Sequence, residues 1–374
     1  MNLNKITEFL DSLQQEGIPS VDCSIYQDHQ IIYRHMNGFT DEDQKTKING
    51  DELYLMFSMT KVQTMVAVMQ LVENGLLSLE DEVSKYLPSY EALTVEHNGT
   101  IEPLRSKLQL KHLVSMQSGL DYNLERPGIL RILREKGMEA STRELVDSFI
   151  ESPLKFTPGE HFEYSLSHDV VAAIIEVISG MKFSEYLRKN IWEPLHMNQT
   201  FFAKPINANP KLITQFLYDN DLRTSFPMQP TCEYQLSNAY ESGGAGLISC
   251  LKDYAIFADT LACGGISVEG VRIIKSETID LMKTNLLNEV TQLDLEQTMG
   301  RIGYGYGCGV QILIDPKRAN TNAPAGIFGW DGAAGSCIIM DTEHKLSLVY
   351  TQHVRNCGPA YGYVHPTLRN LLYE

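Results

Sequence analysis

The β-strand patterns of this chain lie at its two ends, and helical patterns fill the middle. Near the amino terminus, VDCSIYQDHQIIYRHMNGF contains two β-rich runs around residues 27–30, which predicts a hairpin. Near the carboxyl terminus, GYGYGCGVQILI, GSCIIMDTE and KLSLVYTQHV are again β-rich and interrupted by glycine. A chain that separates its helices from its strands in this way does not suit a doubly wound parallel sheet, in which the two alternate.

Helices are predicted where apolar residues recur at helical spacing. Two such patterns cover residues 3–13 and 60–73, and HPTLRNLLYE predicts a last helix. In the middle of the chain, LKHLVSMQ, TRELVDSFIES, HDVVAAIIEVIS and FSEYLRKNIWEPL are further helical patterns. We therefore predict an α/β fold of the α+β type. One domain would combine residues 1–78 with residues 243–374, and residues 79–242 would form a mostly helical insertion at the rim of a site.

The charge and cysteine content of the chain limit its partners and its location. The chain has 31 basic and 47 acidic residues, a formal charge of -16, and such a surface repels nucleic acid and anionic lipid. Seven scattered cysteines without a Cys-x-x-Cys pair indicate reduced thiols. We find no export signal and no apolar segment long enough to span a bilayer. We expect a cytoplasmic protein with neither nucleic acid nor membrane as a partner.

A serine three residues before a lysine is a candidate nucleophile and base, but this spacing is not specific here. The pattern occurs at Ser58 and Lys61, Ser152 and Lys155, Ser179 and Lys182, and Ser249 and Lys252. Ser152 precedes a proline, which favours extended or turn geometry. Ser179 ends a predicted helix, where the negative dipole end would hinder an alkoxide. Ser249 is predicted to cap the helix that follows it.

Ser58 differs from the other three serines because it leads directly into the long helix predicted over residues 60–73. Backbone N–H groups and the positive end of the dipole favour negative charge at such a position. Lys61 lies one turn further on the same face, and a desolvated lysine can lose its proton and activate a hydroxyl. On these local grounds, a helix-capping serine followed by a solvated lysine remains the alternative.

The segments around Ser58 and Lys61 resemble the serine β-lactamase and penicillin-binding-protein superfamily, in particular its class C-like serine hydrolases. The likeness continues in chain order through GLLSLEDEVSKYLP (75–88), LVSMQSGL (113–120), PGEHFEYS (158–165), EPLHMNQT (193–200) and GWDGAAG (329–335). It implies a β-lactamase/transpeptidase-like fold, with an antiparallel sheet flanked by helices.

The same resemblance implies the catalytic roles. Ser58 would be the acylated nucleophile, Lys61 its base or proton relay, and Tyr164 a second acid/base group. The backbone N–H groups of Ser58 and Ala333 would form the oxyanion hole. For Tyr164 alone, the alternative is a buried aromatic residue whose hydroxyl is satisfied.

The residues implied to bind substrate depart from the family pattern at two motifs. They are Gln117, Leu166, Trp330, Asp331 and Gly332. Leu166 stands where class C β-lactamases usually have an asparagine, and Trp-Asp-Gly replaces Lys-Thr-Gly, which exchanges a cation for an anion. An anion there would disfavour carboxylate-bearing substrates, although Asp331 could equally serve to cap a turn. Both departures resemble the family VIII carboxylesterases.

The resemblance therefore implies hydrolysis of a small uncharged ester through an acyl-Ser58 intermediate. A β-lactamase, D-aminopeptidase, DD-peptidase or acyltransferase would use the same residues. A catalytically idle penicillin-binding or sensing module is the alternative from another class. The oligomeric state cannot be read from the sequence.

The remaining sequence signals concern cofactors and the rim of the site. Ten histidines show no metal-ligand spacing, so we expect no metal and no cofactor. His161 and His168 flank Tyr164, and we interpret both as bystanders. Residues 201–242 are predicted to supply part of the rim, with apolar contacts from Tyr218, Phe226 and Tyr234.

Overall fold

An antiparallel sheet built from both ends of the chain runs through the centre of the computed structural model, which describes residues 1–41, 43, 45–202 and 212–374. Within the described residues this sheet has seven strands, and every neighbouring pair is antiparallel. Short two- and three-stranded sheets accompany it. The predicted antiparallel architecture is confirmed.

The strands are β1 (Ser20–Gln27), β2 (Gln30–Gly38), β3 (Leu53–Leu55), β4 (Thr94–His97), β5 (Thr100–Pro103), β6 (Phe201–Phe202), β7 (Gln215–Asp219), β8 (Thr224–Met228), β9 (Leu247–Cys250), β10 (Tyr304–Tyr306), β11 (Gln311–Leu313), β12 (Phe328–Asp331), β13 (Cys337–Asp341), β14 (Leu346–Thr351) and β15 (Val354–Arg355). The helices are α1 (Leu3–Ser12), α2 (Thr60–Glu73), α3 (Leu110–Val114), α4 (Pro127–Lys136), α5 (Thr142–Asp147), α6 (Ser167–Ser179), α7 (Phe183–Leu187), α8 (Leu251–Ala262), α9 (Ser276–Met282), α10 (Glu289–Met299) and α11 (His365–Leu372).

The central sheet joins the amino-terminal hairpin to the carboxy-terminal strands in the order β10-β11-β12-β13-β14-β1-β2. The predicted hairpin is present as β1 and β2, which are connected through Asp28 and His29. Both turn residues have positive φ, as a tight two-residue hairpin requires. β1 pairs on its other edge with β14, so that Asp22 lies opposite Thr351. The domain boundaries at residues 78 and 243 stay a prediction.

Alternating side chains of the sheet serve two different cores. Leu348 and Tyr350 of β14 belong to the core that includes Ile6 of α1 and Leu368 of α11. Val349, between them, points to the other face and belongs to the larger core that contains α2, α6 and α8. Because the side chains of a strand alternate, one short strand holds helices on both sides of the sheet.

Helix α2 is buried on all sides, although its sequence also contains polar residues. Every residue from Thr60 to Leu71 is buried, and the predicted helix over residues 60–73 is confirmed. The polar side chains bind neighbouring segments: Thr64 donates a hydrogen bond to the carbonyl of Gly243 at 2.6 Å, and Gln63 accepts one from the Trp192 indole at 2.7 Å. These contacts hold the helix at a fixed rotation within the core.

The local structure around the other three serines agrees with two of the three predictions. Ser152 is extended before its proline, and Ser179 ends α6 with Gly180 in the left-handed conformation. The prediction that Ser249 caps a helix is wrong, because Ser249 lies in β9. Cys250 caps α8 instead, and its sulfur accepts a hydrogen bond from the Asp253 N–H at 3.4 Å.

Two further observations concern membrane-spanning helices and disulfides. Within the described residues, the helices are too short or too polar to cross a membrane. All seven cysteines lie in that part of the chain and none forms a disulfide.

Replacing Leu348 by alanine should lower the free energy of unfolding by about 2–5 kcal/mol, because it leaves a cavity in the core between the sheet and helices α1 and α11. Ile31, which is 60% exposed on β2, is the control, and its alanine variant should change the free energy by less than about 0.5 kcal/mol. Urea unfolding followed by circular dichroism measures both. Equal losses for the two variants would contradict the central position of β14.

Candidate active site

Ser58 lies in a tight turn between strand β3 and helix α2. A short 3₁₀ turn, Phe57–Met59, leads directly into α2, as the sequence predicted for this serine. Phe57 has a φ of 45°, a left-handed conformation that aromatic residues rarely adopt, and the Arg355 guanidinium lies 4.6 Å from the centre of its ring. Ser58 is partly exposed between buried neighbours. The strained turn thus presents the serine hydroxyl at the surface of the core.

Lys61 is completely buried beneath Ser58. Its Nζ atom lies 3.2 Å from Ser58 Oγ, 2.8 Å from Tyr122 Oη and 2.8 Å from the carbonyl oxygen of Gly244. Burial lowers the pKa of Lys61 to about 7, although the Asp169 carboxylate opposes this shift. A neutral amine can donate hydrogens to the Gly244 carbonyl and to Tyr122, which leaves its lone pair for the Ser58 proton.

Asp169, on helix α6, is a buried carboxylate close to Lys61. It accepts a hydrogen bond from the Tyr240 hydroxyl at 2.7 Å, and burial raises its pKa. Gly244 permits this approach, because a Cβ atom there would lie 2.8 Å from Asp169 Oδ2 and 3.4 Å from Lys61 Nζ. Three segments that are distant in sequence therefore meet around the Lys61 amine, and they contribute Tyr122, Asp169 and Gly244.

Tyr164 also lies close to the Lys61 amine. The centre of its ring is 4.6 Å from Lys61 Nζ, and its hydroxyl accepts a hydrogen bond from the Trp330 indole N–H at 2.9 Å. Burial raises the pKa of Tyr164, and hydrogen bonds with Ser58 and Trp330 oppose the rise. Tyr164 is thus a neutral phenol at physiological pH, with a donor in place to stabilise it if it loses its proton.

These side chains open into a cleft of about 540 Å³ whose walls include five aromatic side chains. It is lined by Ser58, Tyr122, Tyr164, Tyr234, Met299, Gly300, Arg301, Trp330, Asp331, Ala333, Tyr361 and Gly362. Strand β12 and the turn after it contribute Trp330, Asp331 and Ala333 to this lining. The cleft therefore places a serine with a buried base at the floor of an apolar groove.

A comparison with known protein families matches residues 4–356 to the family described as Beta-lactamase. The chain belongs to the Beta-lactamase family.

Relatives of this Beta-lactamase family member include one protein named as an esterase and one named as an acyltransferase. Esterase EstB of Burkholderia gladioli is 25% identical over 392 residues, which cover 98% of this chain and 93% of EstB. Acyltransferase calJ of Penicillium decumbens is 26% identical over 330 residues, which cover 80% of this chain and 75% of calJ. The solved structure titled "EstCE1, a hydrolase with promiscuous acyltransferase activity" has a TM-score of 0.81 at 22% identity and covers 100% of this chain and 98% of EstCE1. This last likeness shows the fold.

The structure brings most of the residues implied by the Beta-lactamase family motifs to one place. Ser58, Tyr164, Trp330, Asp331 and Ala333 line the cleft, and Lys61 lies directly beneath it.

Three residues of the family motifs do not line the cleft: Gln117, Leu166 and Gly332. The Gln117 amide donates to Ser115 Oγ at 2.6 Å and to the Leu286 carbonyl, and Leu166 is buried in the core before α6. A Cβ atom on Gly332 would lie 2.4 Å from the Met56 carbonyl oxygen. Glycine is thus required there by packing against the turn before Ser58.

From the sequence alone, Asp331 adds a negative charge to the site. In the structure that charge is compensated. Asp331 forms an ion pair with Arg301, which also lines the cleft. The cation comes from a segment thirty residues earlier in the chain, whose position the Trp-Asp-Gly motif does not reveal. The expected exclusion of carboxylate-bearing substrates stays a prediction.

The two histidines beside Tyr164 and the predicted rim residues differ in whether they reach the cleft. His161 bonds with Asp294 at 3.0 Å, and buried His168 with the Val114 carbonyl at 3.3 Å; neither lines the cleft. Of the rim residues, Tyr234 lines the cleft, Tyr218 is buried in the core under α1, and Phe226 is 51% exposed. Residues 203–211 of the predicted rim lie outside the described residues.

Sequence reasoning missed Tyr122, Asp169, Arg301 and Tyr361. Two had a usable signal: Tyr122 follows the LVSMQSGL motif by two residues, and Asp169 follows Tyr164 by five residues on a buried helix. A charged residue on the apolar face of a helix needs a buried partner, and that rule would have directed attention to Asp169.

Lys61 should titrate near pH 7, charged below and neutral above, and replacing Asp169 by asparagine should move its midpoint to lower pH because a nearby anion is removed. NMR of protein carrying ¹³Cε-lysine measures this, with a Lys61→Met variant to assign the signal. Asp11→Asn, at the surface of α1, is the control and should leave the midpoint unchanged. A midpoint above pH 10 in the wild type would contradict the buried environment.

Proposed function

We propose that the protein is a serine hydrolase that cleaves small uncharged esters through an acyl-Ser58 intermediate. The observation that carries the proposal is the 3.2 Å approach of the Ser58 hydroxyl to the buried Lys61 amine at the floor of an open cleft. A serine is a weak nucleophile at its ordinary pKa and needs such a base.

Acylation would begin with neutral Lys61 taking the Ser58 proton while Oγ attacks the ester carbonyl. The amine suits this role because its pKa, lowered by burial to about 7, leaves a large neutral fraction at physiological pH. The negative charge that forms on the carbonyl oxygen would be held by the backbone N–H groups of Ser58 and Ala333. Both residues line the same cleft, which supports this assignment.

Tyr164 would donate the proton that the leaving alkoxide needs. Its hydroxyl contacts Ser58, and its ring lies against Lys61, so the proton lost by Ser58 could replace the one that Tyr164 gives away. The Trp330 N–H would stabilise the transient phenolate oxygen. Water would then attack the acyl-serine by the reverse sequence of proton transfers, which frees the acid and restores Ser58.

The walls of the cleft support an apolar acyl or alcohol group. Six of the twelve lining residues are tyrosine, tryptophan or methionine, and the two charged residues are paired with each other. Relatives named as an esterase and as a hydrolase agree with this chemistry.

Acyl transfer to an alcohol is the second candidate function. An apolar cleft of about 540 Å³ has room for an acceptor alcohol beside the acyl-serine, and calJ is named as an acyltransferase. Adding 1-butanol to an ester assay and measuring butyl ester by gas chromatography separates transfer from hydrolysis. Nitrocefin and D-amino acid p-nitroanilides, assayed beside the ester, test the β-lactamase and peptidase alternatives that share this site.

Ser58→Ala should lower the turnover of p-nitrophenyl acetate and butyrate by about 10³-fold or more, because no nucleophile remains. Ser152→Ala is the matched control and should keep full activity, since Ser152 lies in a loop away from the cleft. Equal turnover by wild type and Ser58→Ala would exclude Ser58 as the nucleophile. Labelling of Ser58 by a fluorophosphonate without any ester turnover would instead favour the idle binding module.

Trp330→Phe should keep the aromatic wall and remove the hydrogen bond to Tyr164. We expect kcat to fall by about tenfold to a hundredfold, the value of a hydrogen bond to a group that becomes charged. KM for p-nitrophenyl butyrate should change little. An unchanged kcat would show that Tyr164 needs no support from the indole.

A further inference from the structure

The charged part of the cleft wall is a single ion pair. Among the described residues that line the cleft, Arg301 and Asp331 alone carry charged side chains, and the guanidinium of Arg301 donates to Asp331 Oδ2. The two side chains are mostly buried, with 15% and 11% of their surface exposed. Each therefore depends on the other for compensation of its charge.

The Arg301 guanidinium packs against an aromatic ring, and one of its hydrogen-bond donors has no acceptor. It lies 5.4 Å from the centre of the Trp330 ring, and its Nε atom is buried with no hydrogen-bond partner in the described part of the chain. An arginine fork can bind a carboxylate through two parallel hydrogen bonds. Arg301 is thus a carboxylate-binding group whose one carboxylate contact comes from the chain itself.

The titratable groups next to the Arg301–Asp331 pair add no further charge to the cleft wall. His365 Nδ1 lies 4.0 Å from Asp331 Oδ2, and burial lowers the pKa of His365, so its ring is neutral at physiological pH. Tyr361 donates its hydroxyl to the Gly332 carbonyl at 2.9 Å. Tyr304 and Arg369 lie further behind the pair, in a separate small cavity whose wall Arg301 and Asp331 share. The face toward the cleft carries one positive and one negative charge.

We propose that Asp331 fills, from within the chain, a carboxylate site that Arg301 would otherwise offer to substrates. This inference rests on the proposed function and specifies its substrate class: esters whose acyl group bears no charge. A substrate carboxylate entering the wild-type cleft meets the Asp331 anion and finds the guanidinium already occupied. Without that anion, Arg301 becomes an unpaired cation at the wall of the same cleft.

The closing experiment compares two esters that differ in one terminal group. These are p-nitrophenyl hexanoate and the mono-p-nitrophenyl ester of adipic acid, whose acyl chain has the same length and ends in a carboxylate. For Asp331→Asn, the ratio of kcat/KM for the adipate ester to that for the hexanoate should rise by about tenfold or more over wild type, the value of a charged hydrogen bond. The rise should disappear in the variant that combines Asp331→Asn with Arg301→Met. The surface control Asp11→Asn removes one negative charge elsewhere and should leave the ratio unchanged.

Two results would overturn the proposal: an unchanged ratio in folded Asp331→Asn, or a rise that persists after Arg301 is removed. If Asp331→Asn does not fold by circular dichroism, Arg301→Met alone decides the question. It leaves Asp331 without its partner, so the ratio should fall below the wild-type value, and a constant ratio would refute the idea. If wild type cleaves neither ester, the proposed function fails; calorimetric binding of adipate to Asp331→Asn, but not to wild type, would still support the inference, and no binding would refute it.

Discussion

The burial of Lys61 within helix α2 is the constraint on which the arrangement of the site depends. A lysine amine in the core is unfavourable unless polar groups surround it, and here they come from Gly244, Tyr122 and Ser58. Asp169 adds a nearby carboxylate. Because these residues lie on separate segments, the amine is satisfied only when the helical middle of the chain and its carboxy-terminal part have both packed around α2.

The same surroundings let Lys61 exist in either protonation state. As a cation it has three hydrogen-bond acceptors and lies near two tyrosine rings, whose centres are 5.5 and 4.6 Å away. As a neutral amine it can still donate a hydrogen to the Gly244 carbonyl, and its burial favours the uncharged form. A group that is tolerated in both states can take up and release a proton without rearrangement of its environment.

Much of the fold and the centre of the site could be predicted from the sequence. The hairpin, α2 and the strands of the carboxy-terminal segments follow from local periodicity, and the motifs around Ser58, Lys61 and Tyr164 carry the resemblance that the family match confirmed. Two features were not predicted, one because it joins distant residues and one because an unusual residue type fills a local role. The Arg301 and Asp331 pair has no local pattern, and the cap at Cys250 is a residue type that capping preferences do not favour.

The pairing of β1 with β14 has a consequence for how the protein reaches its native state. Asp22 lies opposite Thr351, so the central strands of the sheet must wait until almost the whole chain is available. Such high contact order slows folding and leaves the β1–β2 hairpin with an unpaired edge during synthesis. Ser58 and Lys61, made early, would therefore gain their finished surroundings late. On this topology, ribosome-bound fragments lacking β14 would have no assembled centre and would be natural clients for chaperones.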